Sequence, residues 1–392
     1  EKSCVEKVFQ RGIECLFSMV MTIIAILLLF FSQINFPVKK TFLLPNWAFV
    51  MLALCVTLVL MMVWRNCFSK RLCNRERHID RMVGYATLAL FLAEGYICFN
   101  ILFSSDWDPG IVWKAAVFWA HGDHEEMDFW GVYFSIYPNN VLLLLLESMC
   151  YRVNHAIGIF GESYSRMTLI LLGCASISAA CWLVYKELSL LTERRYALLG
   201  FVCCVVLAGL SPWMSIFYSD SMAIVFPVLT LYLYTKGSLE KAGKRGYVHK
   251  VLALLVCCIG YFIKPQCFIA VIAMIAVEFI GVIRTRKKKD MGVFVSMLAV
   301  SLICLTLFSR LLTFAFESTG VPLNTELKYG MTHFLMMGMN EKDGGSYSEE
   351  DFYFSASFDT FKERSAGELR EAGARVRAMG PVGLGRHLCK KL

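Results

Sequence analysis

Charged residues are scarce in this chain of 392 residues, because Lys, Arg, Asp and Glu together make up only 18% of it. A soluble domain has about 25% charged residues and about 45–50% apolar residues. Here the apolar share is 57%, and the apolar residues come in blocks about as long as a bilayer is thick. This composition excludes an ordinary soluble domain and predicts a protein that lies largely within a membrane.

Other signals are missing as well. Basic residues do not interleave with aromatic ones, so the formal charge of +8 does not indicate a nucleic-acid partner. The sixteen cysteines lie mostly inside apolar blocks, and Cys67 and Cys73 do not have the spacing of a structural zinc site. The first apolar block has no obvious cleavage site, so we expect it to be a retained helix.

The apolar blocks predict an all-α polytopic fold with about nine transmembrane helices, since a spanning helix needs roughly 20 mostly apolar residues. We also expect juxtamembrane helices in an outer loop. The segment Asn140–Tyr151 is apolar but about half a span long, and it is interpreted as a juxtamembrane or re-entrant helix. The nine blocks are Ile13–Phe31, Trp47–Trp64, Val83–Phe103, Met167–Tyr185, Tyr196–Phe217, Met222–Tyr234, Val251–Ile263, Cys267–Ile283 and Val293–Leu312.

Positive charge sits in short loops between the blocks, around residues 65–81, 236–250 and 284–289. Such clusters are typical of cytoplasmic loops and of contacts with anionic lipids. The N-terminus is then also cytoplasmic, and residues 104–138, the turn Ser211–Ser221 and the tail 314–392 face outward. We therefore divide the chain into a transmembrane domain, 1–313, and an extracytoplasmic tail, 314–392, with an amphipathic helix over Phe361–Met379.

The outer loop 104–138 is where chemistry is expected. Asp106 and Asp108 directly follow the block Val83–Phe103, which places two carboxylates at the outer rim of the bilayer. One carboxylate can serve as a general base, or the pair can hold a divalent metal such as manganese or magnesium through oxygen ligands. The structural alternative is an interfacial belt, because the loop is rich in Trp and Tyr, which prefer the headgroup level.

Three further polar residues belong to the same outer face. Lys264 can pair with a phosphate as a point charge, or it can lie at a helix end with its ammonium reaching toward water. Asp220 is a second rim carboxylate, or it caps the following helix together with Ser219. His333, in the tail, is a supporting residue or a structural one.

The stretch 108–116, DPGIVWKAA, with Gly122 closing it, resembles the first outer loop of the GT-C membrane glycosyltransferases. That superfamily includes protein O-mannosyltransferases and bacterial lipid A aminoarabinose transferases. The run 133–140, YFSIYPNN, is similar to the family's aromatic–proline motif, and Phe160 with 161–163 is similar to its Phe-Gly-x-Ser turn. The pattern is completed by Ser211-Pro212 with Asp220 and by Lys264-Pro265.

The resemblance implies a polyprenyl phosphate-linked sugar donor and a glycan, lipid or protein acceptor outside the cytoplasm. It implies Asp108, or alternatively Asp106, as the base on the acceptor and Lys264 on the donor phosphate. The supporting rim residues are Asp220, Tyr133, Tyr137, Asn139 and His333. No cofactor is required by this mechanism, unless Asp106 and Asp108 hold manganese or magnesium.

Two other classes of function remain open at this point. A transporter or lipid flippase needs polar residues near the bilayer midplane, whereas the acids here gather at one rim. A non-catalytic membrane scaffold is the third class. For the glycosyltransferase we expect a multi-pass protein of a bacterial plasma membrane, in contact with membrane lipids and not with nucleic acid, whose chain continues after Leu392.

Overall fold

The computed structural model describes residues 11–12, 15–24, 26, 46–63, 76–102, 105, 107–122, 127–240, 244–318 and 323–391. In this part of the chain all regular secondary structure is helical. The all-α polytopic fold predicted from the apolar blocks is confirmed. Asp106 and most of the basic loop around residues 65–75 lie outside the described residues.

The helices follow one another with short connections. The first eight are α1 (Cys15–Ile24), α2 (Asn46–Val63), α3 (Glu76–Asn100), α4 (Asp108–His121), α5 (Met127–Ile136), α6 (Val141–Ala156), α7 (Glu162–Leu191) and α8 (Arg194–Cys204). The remaining eight are α9 (Ser219–Ala223), α10 (Val225–Leu239), α11 (Lys244–Ile263), α12 (Ile269–Thr285), α13 (Lys288–Glu317), α14 (Met331–Gly338), α15 (Glu349–Ala356) and α16 (Phe361–Lys390).

Six helical segments of the described chain are long and apolar enough to cross a membrane. About nine were predicted for the whole chain, and the predicted block Ile13–Phe31 lies partly outside the described residues. They are Glu76–Asn100, Glu162–Leu191, Ser219–Leu239, Lys244–Ile263, Pro265–Thr285 and Asp290–Glu317. A bent pair, Phe129–Ile136 with Pro138–Ala156, adds a seventh if it is one broken span. The prediction of a juxtamembrane or re-entrant segment at 140–151 agrees with the 105° bend of this pair.

One predicted span is interrupted. The block Tyr196–Phe217 folds as α8, an 11-residue helix, followed by a five-residue π turn at Val205–Gly209 and a 3-10 turn at Pro212–Ser215. A single-turn π segment is a local widening of the helix, and a proline after it lacks the N–H that a continuing helix needs. The apolar run therefore has enough residues to span a bilayer, but it does not form one uninterrupted helix.

Contacts divide the chain into two units, residues 71–324 and a second unit made of 1–70 with 325–392. In the first unit α7 packs against α3, α8 and α10. Its buried face carries many small residues, among them Gly173, Ser176, Ser178 and Ala180. Small side chains let helix backbones approach closely, which is how helices associate within a bilayer. The turn that starts α7 needs glycine, because Gly161 has φ +102°.

The described part of the second unit contains α14, α15 and α16, with α14 packed on α16. The helix α16 begins at Phe361 with Thr360 as its N-cap, and Gly380 with φ +63° interrupts it just before Pro381. Its first segment therefore coincides with the helix predicted over Phe361–Met379. The positive φ of Gly380 breaks the helical path, and Pro381 has no N–H to donate to the preceding turn, so the helix is kinked here.

Candidate functional site

The site is built around Asp108, the first residue of α4. Pro109 follows it, and proline is favoured at the start of a helix because its missing N–H has no intrahelical partner there. A carboxylate at this end is also stabilised by the helix dipole. Gly110 is needed for packing, since a Cβ on it would lie 1.6 Å from the backbone oxygen of Ser105.

Two tyrosine hydroxyls hold the half-buried carboxylate of Asp108. Tyr133 of α5 donates to Oδ1 at 2.9 Å, and Tyr218, just before α9, donates to Oδ2 at 3.3 Å. Asn140 in turn donates to the Tyr133 hydroxyl at 2.9 Å, and its Oδ1 lies 3.5 Å from the Tyr218 hydroxyl. Each oxygen of the carboxylate is thereby fixed, while a carboxylate has about four lone-pair sites in all.

The tyrosines remain neutral donors. Burial raises the pKa of Tyr218, and the neighbouring negative charge of Asp108 raises it further. A phenol whose pKa is raised keeps its proton across the physiological range. The Asp108 carboxylate therefore sits in a fixed frame of uncharged hydroxyls and has lone pairs left to accept a proton from another group.

Two further predicted residues, Asp220 and Lys264, are paired with each other in the structure. The Lys264 ammonium donates to the Asp220 carboxylate, and Asp220 is two residues after Tyr218. Asp220 lies in the first turn of α9, whereas the N-cap is Tyr218, so the alternative of Asp220 as a cap is wrong. Lys264 itself precedes the 3-10 turn Pro265–Phe268, and its side chain is 26% exposed.

The remaining predicted residues divide into two groups. The ring of Tyr137 lies 5.3 Å from that of Tyr133, and Asn139 donates to Asn140 at 3.0 Å, so both support the frame. His333 belongs to the other unit. It is buried there, and its Nδ1 lies 2.7 Å from the Ser355 hydroxyl.

Sequence reasoning missed Tyr218 and Asn140 as parts of the site. Tyr218 lies inside the turn Ser211–Ser221, which the sequence assigned to the outer face, and Asn140 ends the run YFSIYPNN. Neither residue type signals chemistry alone. Only the fold brings these two residues and Asp108 together. Along the chain, Tyr218 is 78 residues after Asn140 and 110 residues after Asp108.

A metal centre finds no support from the part of the chain that the structure describes, where no group of three or more His, Cys, Asp or Glu side chains lies close enough to hold an ion. The two-aspartate version involves Asp106, which is outside the described residues, so it stays a prediction. Asp108 by itself supplies two oxygen ligands at most, and a cage for manganese or magnesium needs about six.

Comparison with known proteins agrees with this architecture. No curated protein and no solved structure matches the chain. A family model described as conserved hypothetical integral membrane protein matches residues 5–392. Since this match covers almost the whole chain, the protein belongs to that family of integral membrane proteins.

Proposed function

We propose that this protein is a membrane glycosyltransferase that moves a sugar from a polyprenyl phosphate donor to an extracytoplasmic acceptor. The observation that carries the proposal is the frame around Asp108, where the hydroxyls of Tyr133 and Tyr218 hold a carboxylate at the end of a short helix. Asp220, two residues after Tyr218 along the chain, forms a charged pair with Lys264. The proposal also uses the resemblance of residues 83–283 to the GT-C pattern.

In the proposed reaction Asp108 is the general base. The acceptor hydroxyl gives its proton to the Asp108 carboxylate as its oxygen forms a bond to the anomeric carbon of the donor sugar. The bond between that carbon and the phosphate oxygen breaks, and its electron pair leaves with the polyprenyl phosphate. A positioned base of this kind contributes about 10²–10⁴-fold to the rate.

Lys264 is proposed to neutralise the leaving phosphate. Its ammonium has three N–H donors, and the contact with Asp220 uses one of them. The other two can donate to phosphate oxygens, while Asp220 fixes the position of the ammonium. Charge stabilisation of the leaving group by a prepositioned donor is among the largest contributions to enzymatic rates.

A membrane scaffold suits this donor. A polyprenyl phosphate sugar keeps its chain in the hydrocarbon and its phosphate at the headgroup level, so the enzyme needs no pocket for a nucleotide. Among the described residues, α3 ends at Asn100 and α4 begins at Asp108. This short connection keeps the carboxylate near the end of a candidate span, where such a phosphate would lie.

A transporter is the second candidate, because the structure adds one observation that favours it. The side chain of Glu94, inside the span α3, is fully buried, and Ser178 of α7 donates to it at 2.8 Å. The sequence had placed the acids at one rim, whereas this carboxylate lies within a span. Ionisable groups at such depth are often part of a transport pathway.

The test uses the purified full chain in proteoliposomes, with polyprenyl phosphate-linked mannose, glucose and aminoarabinose as donors. We expect a glycosylated product with one of them, and loss of about a hundredfold or more in Asp108→Asn. Asp80→Asn is the matched control, since Asp80 also accepts from a tyrosine, Tyr185, at 2.5 Å. Uptake of substrate without any glycosylated product would replace this proposal by the transporter.

A further inference from the structure

Behind the first turn of α4 lies a cavity of about 30 Å³. It is formed entirely within the unit 71–324, between α4, α6, α7 and the turn before α9. Its lining residues include Ser105, Gly110, Trp113, Glu147, Arg166 and Ser215. Two of these, Trp113 and Glu147, carry a buried polar atom without a hydrogen-bond partner among the described residues, which is rare for buried positions.

Glu147 is the first of them. Its side chain is 1% exposed, and its Oε2 has no hydrogen-bond partner among the residues that the structure describes. The charged neighbour of this carboxyl group is Arg166. Leaving a buried carboxylate oxygen without a donor is costly, so a native structure keeps such a group when something else binds it.

Trp113 and Arg166 supply the donors. The indole Nε1 of Trp113, which is 3% exposed, has no partner within the described chain. The guanidinium of Arg166 lies over the Trp113 ring, 5.6 Å from its centroid. The attraction between the cation and the aromatic face holds the guanidinium beside the cavity, and a guanidinium has five N–H donors that can bind a ligand.

The size of the cavity limits what can enter. A water-sized oxygen needs about 10–15 Å³ of such volume, so the cavity holds about two oxygens. A group that fits must accept from Trp113 and Arg166 and also donate to Glu147. A hydroxyl does both, whereas a phosphate oxygen only accepts and an ammonium only donates.

We infer that this cavity binds two adjacent hydroxyl groups of a sugar ring, with Glu147 as acceptor and Arg166 and Trp113 as donors. The cavity adjoins the reaction centre through the chain itself, because Pro109 and Phe217 line it and are the neighbours of Asp108 and Tyr218. The identification of this sugar as a substrate of the transfer rests on the proposed function. Through Glu147, Arg166 and Trp113, the cavity discriminates one sugar from another by the positions of their hydroxyl groups.

The experiment measures glycoside binding directly, by saturation-transfer difference NMR on the purified full chain in detergent. The probes are methyl α-D-mannopyranoside, glucopyranoside and galactopyranoside, and the monodeoxy forms of whichever binds. We expect two adjacent hydroxyls whose removal weakens binding about tenfold or more. Glu147→Gln and Arg166→Lys should bind the parent glycoside about as weakly as its deoxy forms.

Glu187→Gln is the matched control and should bind as the unchanged protein does. Glu187 also has a buried carboxylate oxygen, Oε2, without a partner among the described residues, but it does not line the cavity. The deoxy series is measured on the unchanged protein, so it decides the question even if a variant fails to fold. Equal binding of all monodeoxy forms, or no binding of any glycoside, would mean that water alone fills the cavity and would overturn the inference.

The two proposals fail differently. Asp108→Asn should abolish transfer and still bind the glycoside, since Asp108 does not line the cavity. Glycoside binding that depends on Glu147, without transfer from any polyprenyl phosphate sugar, would reject the glycosyltransferase and keep the sugar site. Transfer that is unchanged in Glu147→Gln and Arg166→Lys would reject the sugar site and keep the glycosyltransferase.

Discussion

Each of the two units contains buried charged side chains, but Asp351 in the tail and Glu147 in the unit 71–324 differ in their hydrogen-bond partners. In the tail, Arg375 donates to both oxygens of the buried Asp351, at 2.6 and 3.0 Å, and Asn340 donates to Oδ2 at 3.0 Å. In the unit 71–324, by contrast, Glu147 lines a cavity and its Oε2 has no partner among the described residues.

Two other buried charged residues of the tail also have hydrogen-bond partners within the protein. Glu368 in the tail accepts from Ser355 at 2.8 Å and from Thr332 at 2.5 Å, and the guanidinium of Arg364 donates to backbone carbonyls. A polar group whose bonds are all made inside the protein stabilises a fold, whereas one whose bonds are left open costs stability unless a ligand completes them. The tail network is therefore structural, and the cavity is where a ligand belongs.

The largest effect should come from breaking the tail network. Asp351→Ala leaves Arg375 without its buried partner, which costs about 3–5 kcal/mol in comparable buried pairs. Hydrogen exchange of peptides from 331–379, measured on the full chain, should show this loss of protection. Glu147→Gln is the counterpart, and exchange in α6 and α7 should change by less than about 1 kcal/mol, because no hydrogen bond to Oε2 is lost. Equal losses in both variants would abolish the distinction between the two clusters.

The next effect concerns the packing that positions Asp108. Gly110→Ala places a Cβ 1.6 Å from the Ser105 backbone oxygen, so the first turn of α4 must move. We expect about a hundredfold loss of transfer, since small displacements of a catalytic group are costly. Gly84→Ala is the control, because a Cβ there meets nothing within 4 Å and alanine favours a helix. A Gly110→Ala variant with unchanged kcat would contradict this role.

The smallest effect is the pH dependence of the tail. Burial lowers the pKa of His333, against an opposing effect of Asp351, so protonation disfavours the folded tail. Stability is then fully present above the unfolded pKa of about 6.5 and decreases as pH falls below it. Hydrogen exchange of 331–379 at pH 7.5 and 5.5, corrected for intrinsic rates, should show this decrease. His333→Gln should remove the difference, and a pH effect that persists in that variant must come from another group.

The fold was predictable from the sequence in its main features. Apolar runs such as Val83–Phe103 and the basic loops between them indicate a polytopic helical protein without any knowledge of contacts. The number of membrane-spanning helices could be predicted less well. Hydropathy counts apolar residues, and it cannot see that the run Tyr196–Phe217 is broken by a π turn and by Pro212.

The site was predictable only in part. The sequence predicted Asp108, Asp220 and Lys264 because charged residues at the ends of apolar runs stand out, and it predicted Tyr133 from the resemblance. The structure brings Asp108 into contact with Tyr133 and Asp220 into contact with Lys264. The residues that hydrogen-bond to Asp108 depend on which helices pack together. The sequence does not show that α4 packs on α6. Glu147 and Arg166 lie within apolar helices, where a single charged residue in the sequence indicates only a break in the apolar run. Their role depends on the cavity between them, which is a property of packing alone.

The most direct measurement of the central claim is a mass-spectrometric comparison of cell-surface glycans, lipids and proteins. Three strains of the source organism are compared: one with the unchanged protein, one without it, and one carrying Asp108→Asn at equal abundance in the membrane. We predict one glycosylated species that is present in the first strain and missing from the other two. If the Asp108→Asn strain makes every species that the unchanged strain makes, Asp108 is not the base and the proposed mechanism is wrong.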